Sequence, residues 1–368
     1  MGTPIRIAVE TQLASSGTVP VAAKVNSAVP VKDLAGLRRS LLRWYDQNRR
    51  DLPWRHTRDP YPIWLSEIML QQTRVAAVLE HYRIFLERFP DVETLADASE
   101  DSVLAAWSGL GYYRRARMLH QCAKEIVQNH GGRFPQYAEA LQALPGIGRY
   151  TAAAIASIAF VEPVAVVDGN VKRVIRRLTR DDLSTPQIWQ QAQTLLAISR
   201  PGDFNQAVME LGATVCVPRE PRCLVCPVRE WCATQGEIPR TQPPSRQQKK
   251  LIWCAFDWRS DNGQGKGARN KNKSGEVRLV QRSTKASLMP GMWELPLSSE
   301  PPNPLPASAP WRTFRHSITV TNYTVHVLRN GSSNATPRPK GKWIAIDRVP
   351  QIPITGLTRK ILKAGGII

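Results

Sequence analysis

Long hydrophobic runs are missing from this 368-residue chain. The best candidate, residues 152–167, is broken by Glu162 and Pro163 and falls short of the about 20 apolar residues that a spanning helix needs. No membrane partner is expected. The first residues also lack a lysine-led apolar core with a small-residue cleavage site, so 1–30 read as a disordered extension and not as a signal peptide. The expected location is the cytoplasm, in association with the nucleoid. Acidic residues are scarce as well: 30 face 50 lysines and arginines, giving a net charge of +20 and a pI near 10.2. Such a surface attracts phosphates over several ångströms, which points to a polyanionic partner. Cysteine is rare too, with six in all.

Four of the six, Cys216, Cys223, Cys226 and Cys232, fall in one run with the spacing C-x6-C-x2-C-x5-C. Four convergent thiolates can hold zinc or an iron-sulfur cluster. Zinc ribbons usually pair two C-x2-C hairpins, and only one such pair occurs here, so the uneven spacing favours a 4Fe-4S cubane over zinc. Disulfides rank below both, because a reducing compartment keeps thiols free. Cys122 and Cys254 stand alone in apolar surroundings and read as buried thiols.

The chain changes texture along its length. Residues 31–235 carry apolar positions at helical spacing, as in Leu34, Leu37, Leu41, Leu42 and Tyr45, and read as a mostly α-helical domain. The proline-broken, basic stretch 236–250 reads as a linker. Beyond it, residues 251–368 alternate with period two in EVRLVQ (276–281), ITVTNYTVHVL (318–328) and WIAI (343–346), which predicts a smaller α+β domain. No repeat of fixed period is present.

Within the helical part, LPGIGRYTAAAI (144–155) reads as helix end, tight glycine turn and new helix. Gly146 and Gly148 are expected to take backbone conformations closed to other residues and to offer N–H groups to one phosphate. A plain helix cap without a ligand is the alternative, and the net basicity favours phosphate binding over it. A dinucleotide fingerprint is disfavoured, since neither GIGRYT nor GLGYYR (109–114) has the third glycine or a preceding strand. In AVVDGNVKRV (165–174), Asp168 is placed to cap a basic helix that carries Lys172, and its cap bonds should keep it ionised. In WLSEIMLQQT (64–73), Ser66 reads as a helix cap with Glu67 in the first turn; a dry environment would raise the Glu67 pKa and make it a general acid. Two carboxyl groups in opposed environments suit cleavage of a glycosidic bond.

LPWR (52–55), SEIMLQQT (66–73), GLGYY (109–113), LPGIGRYTA (144–152), VDGNVKRV (167–174) and the cysteine run occur in this order over roughly 200 residues. Together they resemble the MutY-type adenine DNA glycosylases of the endonuclease III, helix-hairpin-helix superfamily. The resemblance implies a base-excision-repair enzyme, a monomer, that hydrolyses the N-glycosidic bond of adenine opposite 8-oxoguanine or guanine in duplex DNA, and that holds a 4Fe-4S cluster. Glu67 would protonate adenine at N7. Asp168 would face the sugar cation, with Tyr150 and Asn170 supporting it. Tyr112 matches the wedge beside the lesion, and Leu52, Trp54, Arg55 and Gln72 match adenine-site and lesion-facing positions. Tyr150 stands where the bifunctional relatives have a nucleophilic lysine, which implies an enzyme that does not cut the strand. The two rival readings are a bifunctional oxidised-pyrimidine lyase, which that tyrosine disfavours, and a non-catalytic iron-sulfur DNA-binding protein, which would leave the carboxyl motifs unexplained.

LMPGMWELP (288–296) and GLTRK (356–360) are similar to the start and end of the Nudix-like recognition domain of these enzymes. The glutamate-rich hydrolase motif of Nudix enzymes is missing, so nucleotide hydrolysis is not expected. Where the family has a Phe-Ser-His tip that meets 8-oxoguanine, this chain has Phe314, Arg315, His316 and Ser317. Phe314 is expected to wedge beside the base, His316 to make a polar contact, and Arg315 to meet phosphate or the lesion edge.

Overall fold

The structure, a computed structural model, describes residues 33–236, 247–260, 275–301, 309–318, 320–329 and 341–368. The expected N-terminal extension and most of the expected linker lie outside the described residues.

The first part is helical: α1 (Leu34–Asn48), α2 (Pro60–Leu70), α3 (Val75–Arg88), α4 (Val92–Asp97), α5 (Glu100–Ala106), α6 (Arg114–His130), α7 (Ala138–Gln142), α8 (Arg149–Ala159), α9 (Gly169–Thr179), α10 (Thr185–Leu195) and α11 (Pro201–Thr214). Short 3₁₀ turns follow at Cys223–Val225 and Arg229–Trp231. Two apolar cores organise these helices. The middle of the chain, α2 through α8, builds one around Trp64, Phe85 and Trp107. Helix α1 joins α9 to α11 around Leu41, Val174 and Leu211 to build the other, against which Cys216, Cys226 and Cys232 pack. A two-lobed fold results, and the cleft between its lobes is where a ligand site forms most readily.

Helix α2 is buried almost all round, from Tyr61 to Met69, so Ser66 and Glu67 are drawn into the core by their apolar neighbours. Its N-terminus corrects the sequence reading. Asp59 caps the helix by accepting from the Tyr61 N–H at 2.9 Å, and Pro60 occupies its first turn. Ser66 is no cap: it lies mid-helix and its hydroxyl donates to the Ile63 carbonyl at 2.7 Å. An Asp-Pro pair is a stronger start signal than a serine inside an apolar run.

The second part is α+β, as expected. Its strands are β1 (Gln248–Phe256), β2 (Trp258–Ser260), β3 (Gly275–Gln281), β4 (Trp293–Glu294), β5 (Leu297–Ser298), β6 (Arg312–Ile318), β7 (Thr321–Arg329) and β8 (Lys342–Ala345), and helix α12 (Gly356–Ala364) closes the chain. One sheet has the order β5-β1-β7-β6, with β1 and β7 parallel; in the other, β3 lies between β2 and β8 and also pairs with β4. Phe256, Val277, Val325 and Ile361 belong to the core between these sheets and α12. Two boundaries differ from the sequence reading. β1 starts inside the stretch read as linker, because Gln248 to Lys250 pair with Thr321 to Tyr323. Ile318 ends β6 instead of opening β7, since the alternation runs unbroken through a hairpin without a glycine.

The two parts are docked. Met292, from the segment between β3 and β4, is fully buried in the core of the first helical lobe, and Arg117 on α6 donates to the Pro290 carbonyl at 2.7 Å.

Candidate active site

A groove of about 1570 Å³ runs between the helical lobes and beneath the second domain. This exceeds the roughly 300–1,000 Å³ of an ordinary small-molecule pocket, so the groove suits a segment of a larger ligand. Glu67 enters it from α2, Tyr150 from α8, and Asp168 with Asn170 from the start of α9. The four residues read as catalytic are thus brought together from three helices.

Glu67 is buried, and burial is the main reason its pKa rises to about 7; the nearby Asp168 adds to the rise, while Tyr150 and Arg55 oppose it. The Tyr150 hydroxyl donates to Glu67 Oε2 at 2.5 Å. Burial first, and then the Glu67 charge, push the Tyr150 pKa well above its usual value, so this hydroxyl stays a donor. Tyr150 therefore orients Glu67, where the resemblance had placed it beside Asp168. A carboxyl group with one oxygen held by a donor and a pKa near neutrality is arranged to carry a proton at physiological pH.

Asp168 does cap α9, with Oδ1 accepting from the Val171 N–H at 2.7 Å and Oδ2 from Asn170 Nδ2 at 2.9 Å. Its pKa is nonetheless raised, because burial outweighs the bonds from Val171 and Asn170 and the nearby Arg173. The expectation of opposed environments fails on this point. Both carboxyl groups are pushed up by burial, and they differ in their bonds: two donors for Asp168 and one for Glu67. Asn170 is fixed in turn by Arg173, whose Nη2 donates to Asn170 Oδ1 at 2.8 Å and to the Gly212 carbonyl at 2.6 Å. Gly212 permits this approach of α11, since a Cβ there would lie 2.7 Å from the Asn170 Cβ.

A second ionic group borders the groove that the sequence reading missed. Glu210 on α11 is buried and accepts from Arg50 Nε at 2.6 Å and Arg55 Nη2 at 2.7 Å. Burial pushes its pKa up, but the two arginines outweigh it and hold the carboxyl at about 2. Arg55, read as an adenine-site residue, is engaged with Glu210 at the groove wall. A lone acid in the apolar stretch AVMELGA (207–213) was the available signal, because a buried charge requires a partner. Leu52 and Trp54 are buried in the first core and reach the groove only as part of its wall.

Two exposed tips flank the opening. Gln72 (φ 57°) follows α2, and Tyr112 (φ 48°) precedes α6; both have left-handed backbones, a costly state for such residues that clusters at functional sites. One half-buried guanidinium supports both. Arg115 Nη1 donates to the carbonyls of Ile68, Met69 and Gln71, and Nη2 to Thr73 Oγ1 and the Gly111 carbonyl, while its Cζ lies 5.4 Å from the centroid of the Tyr112 ring. Nothing in the basic run RRAR (114–117) distinguished this arginine in the sequence.

The glycine hairpin joins α7 to α8. Gly146 has φ +74° and packs so closely that a Cβ would fall 2.7 Å from the Met118 Cβ. Gly148 departs from expectation: it caps α8 with φ −85°, which any residue can adopt, and the space around its missing Cβ is open. Gly146 lines the groove, whereas Gly148 and the half-buried Lys172 do not.

On the second domain, His316, Ser317 and Ile318 line the groove, while Phe314 and Arg315 do not. Phe314 is buried in the core of that domain, which corrects its reading as a wedge; strand alternation turns it inward and Arg315 outward. Burial, and then Lys360, lower the His316 pKa.

Two carboxyl groups from different lobes share one groove, the second of them set beyond a helix-hairpin-helix. A family described as "HhH-GPD superfamily base excision DNA repair protein" matches residues 65–196. Among solved structures, a thermostable thymine-DNA glycosylase is similar over 55% of this chain and 97% of its own, with a TM-score of 0.53 and 32% identity. An endonuclease III–DNA complex shares the fold at a TM-score of 0.50 and 20% identity over 56% of this chain and 97% of that one. The adenine DNA glycosylase of Mycobacterium tuberculosis is 44% identical over 218 residues, 57% of this chain and 71% of its own length. The mouse adenine DNA glycosylase is 48% identical over 227 residues, 58% of this chain and 44% of its own length. The chain belongs to the adenine DNA glycosylase family, and its matched region spans less than half the length of the mammalian relatives.

Proposed function

We propose that this protein releases adenine from duplex DNA in which adenine stands opposite 8-oxoguanine or guanine, and leaves the strand uncut. The observation that carries this reading is the pair in the groove: the buried Glu67, with a pKa of about 7 and one oxygen held by Tyr150, and the half-buried Asp168, doubly hydrogen-bonded at the start of α9. Adenine is a poor anionic leaving group. Glu67 gives its proton to N7 as the bond between C1′ and the base stretches, and the bonding electron pair leaves with neutral adenine. Asp168 faces the resulting sugar cation and stabilises it as an ion pair or a transient ester until water adds to C1′ and loses a proton. The target base must first leave the stack at a cost of a few kcal/mol, and the exposed Tyr112 is the wedge that accompanies this step. No lysine is available at position 150 to form a Schiff base, which supports release without strand cleavage.

The cysteine run fits a 4Fe-4S cluster. Arg177 Nη1 points at Cys216 Sγ at 3.3 Å, and the Gln235 N–H points at Cys232 Sγ at 3.4 Å, bonds that favour thiolate. Burial first, and then the neighbouring thiols, push Cys226 up to about 11, so four thiolates here call for compensating cationic charge. Among the described residues, no three metal-binding side chains are grouped to hold one ion, and a cluster that gives each thiolate its own iron has no such need. When bound, the cluster would tie residues 216–232 together and so hold Arg219 and Arg222 toward phosphate.

Product analysis on duplexes with adenine opposite 8-oxoguanine tests the reading. Free adenine with an alkali-labile but otherwise intact strand is expected. Direct strand cleavage would indicate a lyase, and unchanged DNA a binding protein.

A further inference from the structure

Helix α12 and the residues just before it touch both the lesion-facing strand and the wedge loop. On the strand side, Lys360 Nζ donates to the Arg315 carbonyl at 3.1 Å, and a Cβ built on Gly356 would lie 3.9 Å from His316 Cε1. On the loop side, Arg359 Nε donates to Ser108 Oγ at 2.9 Å. The Ser108 hydroxyl donates to the Ile354 carbonyl at 2.9 Å, and the Tyr113 hydroxyl donates to the same carbonyl at 3.1 Å. Ser108, Tyr113 and Ile354 are buried. Ile354 is itself fixed by its bridge to Trp293, which donates to the Pro353 carbonyl at 2.8 Å and accepts from the Thr355 N–H at 2.9 Å.

Between Ser108 and Tyr113 lies the loop that ends in Tyr112. Its backbone is left-handed at Gly109 (φ +113°), Gly111 (φ +71°) and Tyr112 (φ 48°), and the Arg359 side chain packs 3.6 Å from the position of a Gly109 Cβ. A loop in such a state keeps its shape only while its surroundings enforce it. Both of its ends are held by the second domain, so the conformation of the wedge depends on how that domain is seated.

We propose that α12 is a bridge through which the second domain sets the position of Tyr112, with Arg359 and Ser108 as positioning residues that couple recognition of the opposite base to extrusion of the target. This rests on the function proposed above. The path is physically continuous, from His316 and Arg315 through Gly356 and Lys360 to Arg359, Ile354, Ser108 and the loop. A demonstrated coupling energy is what distinguishes a path from mere adjacency.

The test uses the full chain under single-turnover conditions, with adenine opposite 8-oxoguanine and opposite guanine. Arg359→Ala is expected to lower the ratio of the two rates on the order of tenfold. Its rate opposite guanine should stay within about twofold of wild type. In a Tyr112→Ala background the same substitution should have no further effect, because the element it positions is gone. An unchanged ratio, or an equal additional loss in that background, overturns the proposal. Hydrogen–deuterium exchange gives a readout independent of catalysis: Arg359→Ala should speed exchange at amides 109–112 and leave α8 unchanged. Unchanged exchange at 109–112 overturns the bridge even if wild type releases no adenine, whereas faster exchange in an inactive wild type would count against the proposed reaction alone.

Discussion

At the scale of single residues, the account rests on two carboxyl groups whose pKa values burial raises, Glu67 as the proposed acid and Asp168 as the group proposed to face the sugar. Asp168→Asn removes the charge facing the sugar and keeps the shape, so tight binding to adenine opposite 8-oxoguanine with negligible turnover is expected in a gel-shift and single-turnover pair. Normal turnover would remove Asp168 from the mechanism. Glu210 provides a stability test. Its folded pKa of about 2 lies below the unfolded value near 4.5, so its contribution is complete above about pH 4.5 and is lost as pH falls toward 2. Glu210→Gln leaves Arg50 and Arg55 without a counter-charge and should cost about 3–5 kcal/mol at pH 7 by denaturant unfolding. The difference from wild type should shrink below pH 4.5; a constant difference would contradict this assignment. Glu67 and Asp168 were legible because short motifs surround them, whereas Glu210, Arg115 and Arg173 each also make contacts 39 or more residues away in sequence, which no local pattern displays.

At the scale of elements, α9 links the reaction groove to the cysteine run: Asp168 caps it, Asn170 and Arg173 occupy its first turns, and Arg177 meets Cys216 from its last. Protein purified without air should contain about four irons per chain, as one 4Fe-4S cluster requires. Stoichiometric zinc would contradict the cluster. Replacing Arg219 and Arg222 with alanine should weaken duplex binding uniformly across sequences and reduce the salt slope by up to ~2. An unchanged slope would show that neither meets phosphate. Most elements were visible in the sequence through their apolar spacing. The errors fell where local signals competed: Asp59 and Pro60 start α2 ahead of Ser66, and family likeness at Phe314 concealed a strand alternation that turns it into the core.

At the scale of the whole molecule, the residues proposed for recognition and those proposed for chemistry come from different parts of the chain and line one groove. The division into helical and α+β parts followed from the change in period. Their docking did not, because Met292 reads locally as part of a loop and only the folded chain shows it inside the helical core. His316 is the base-facing candidate that reaches the groove. His316→Ala should reduce the preference for 8-oxoguanine over guanine by about ten- to a hundredfold, the usual value of a lost base contact. An equal loss on both substrates would show that His316 only positions the duplex.

The pH profile of single-turnover adenine release, compared between wild type and Glu67→Gln, tests the central claim most directly. With Glu67 as the acid, the wild-type rate should fall as pH rises through about 7, where the group loses its proton, and should also fall at low pH as Asp168 gains one. Glu67→Gln should release almost no adenine at any pH while binding the duplex within a few-fold of wild type. Substantial release by Glu67→Gln, or a wild-type rate that does not change through pH 7, would contradict the account.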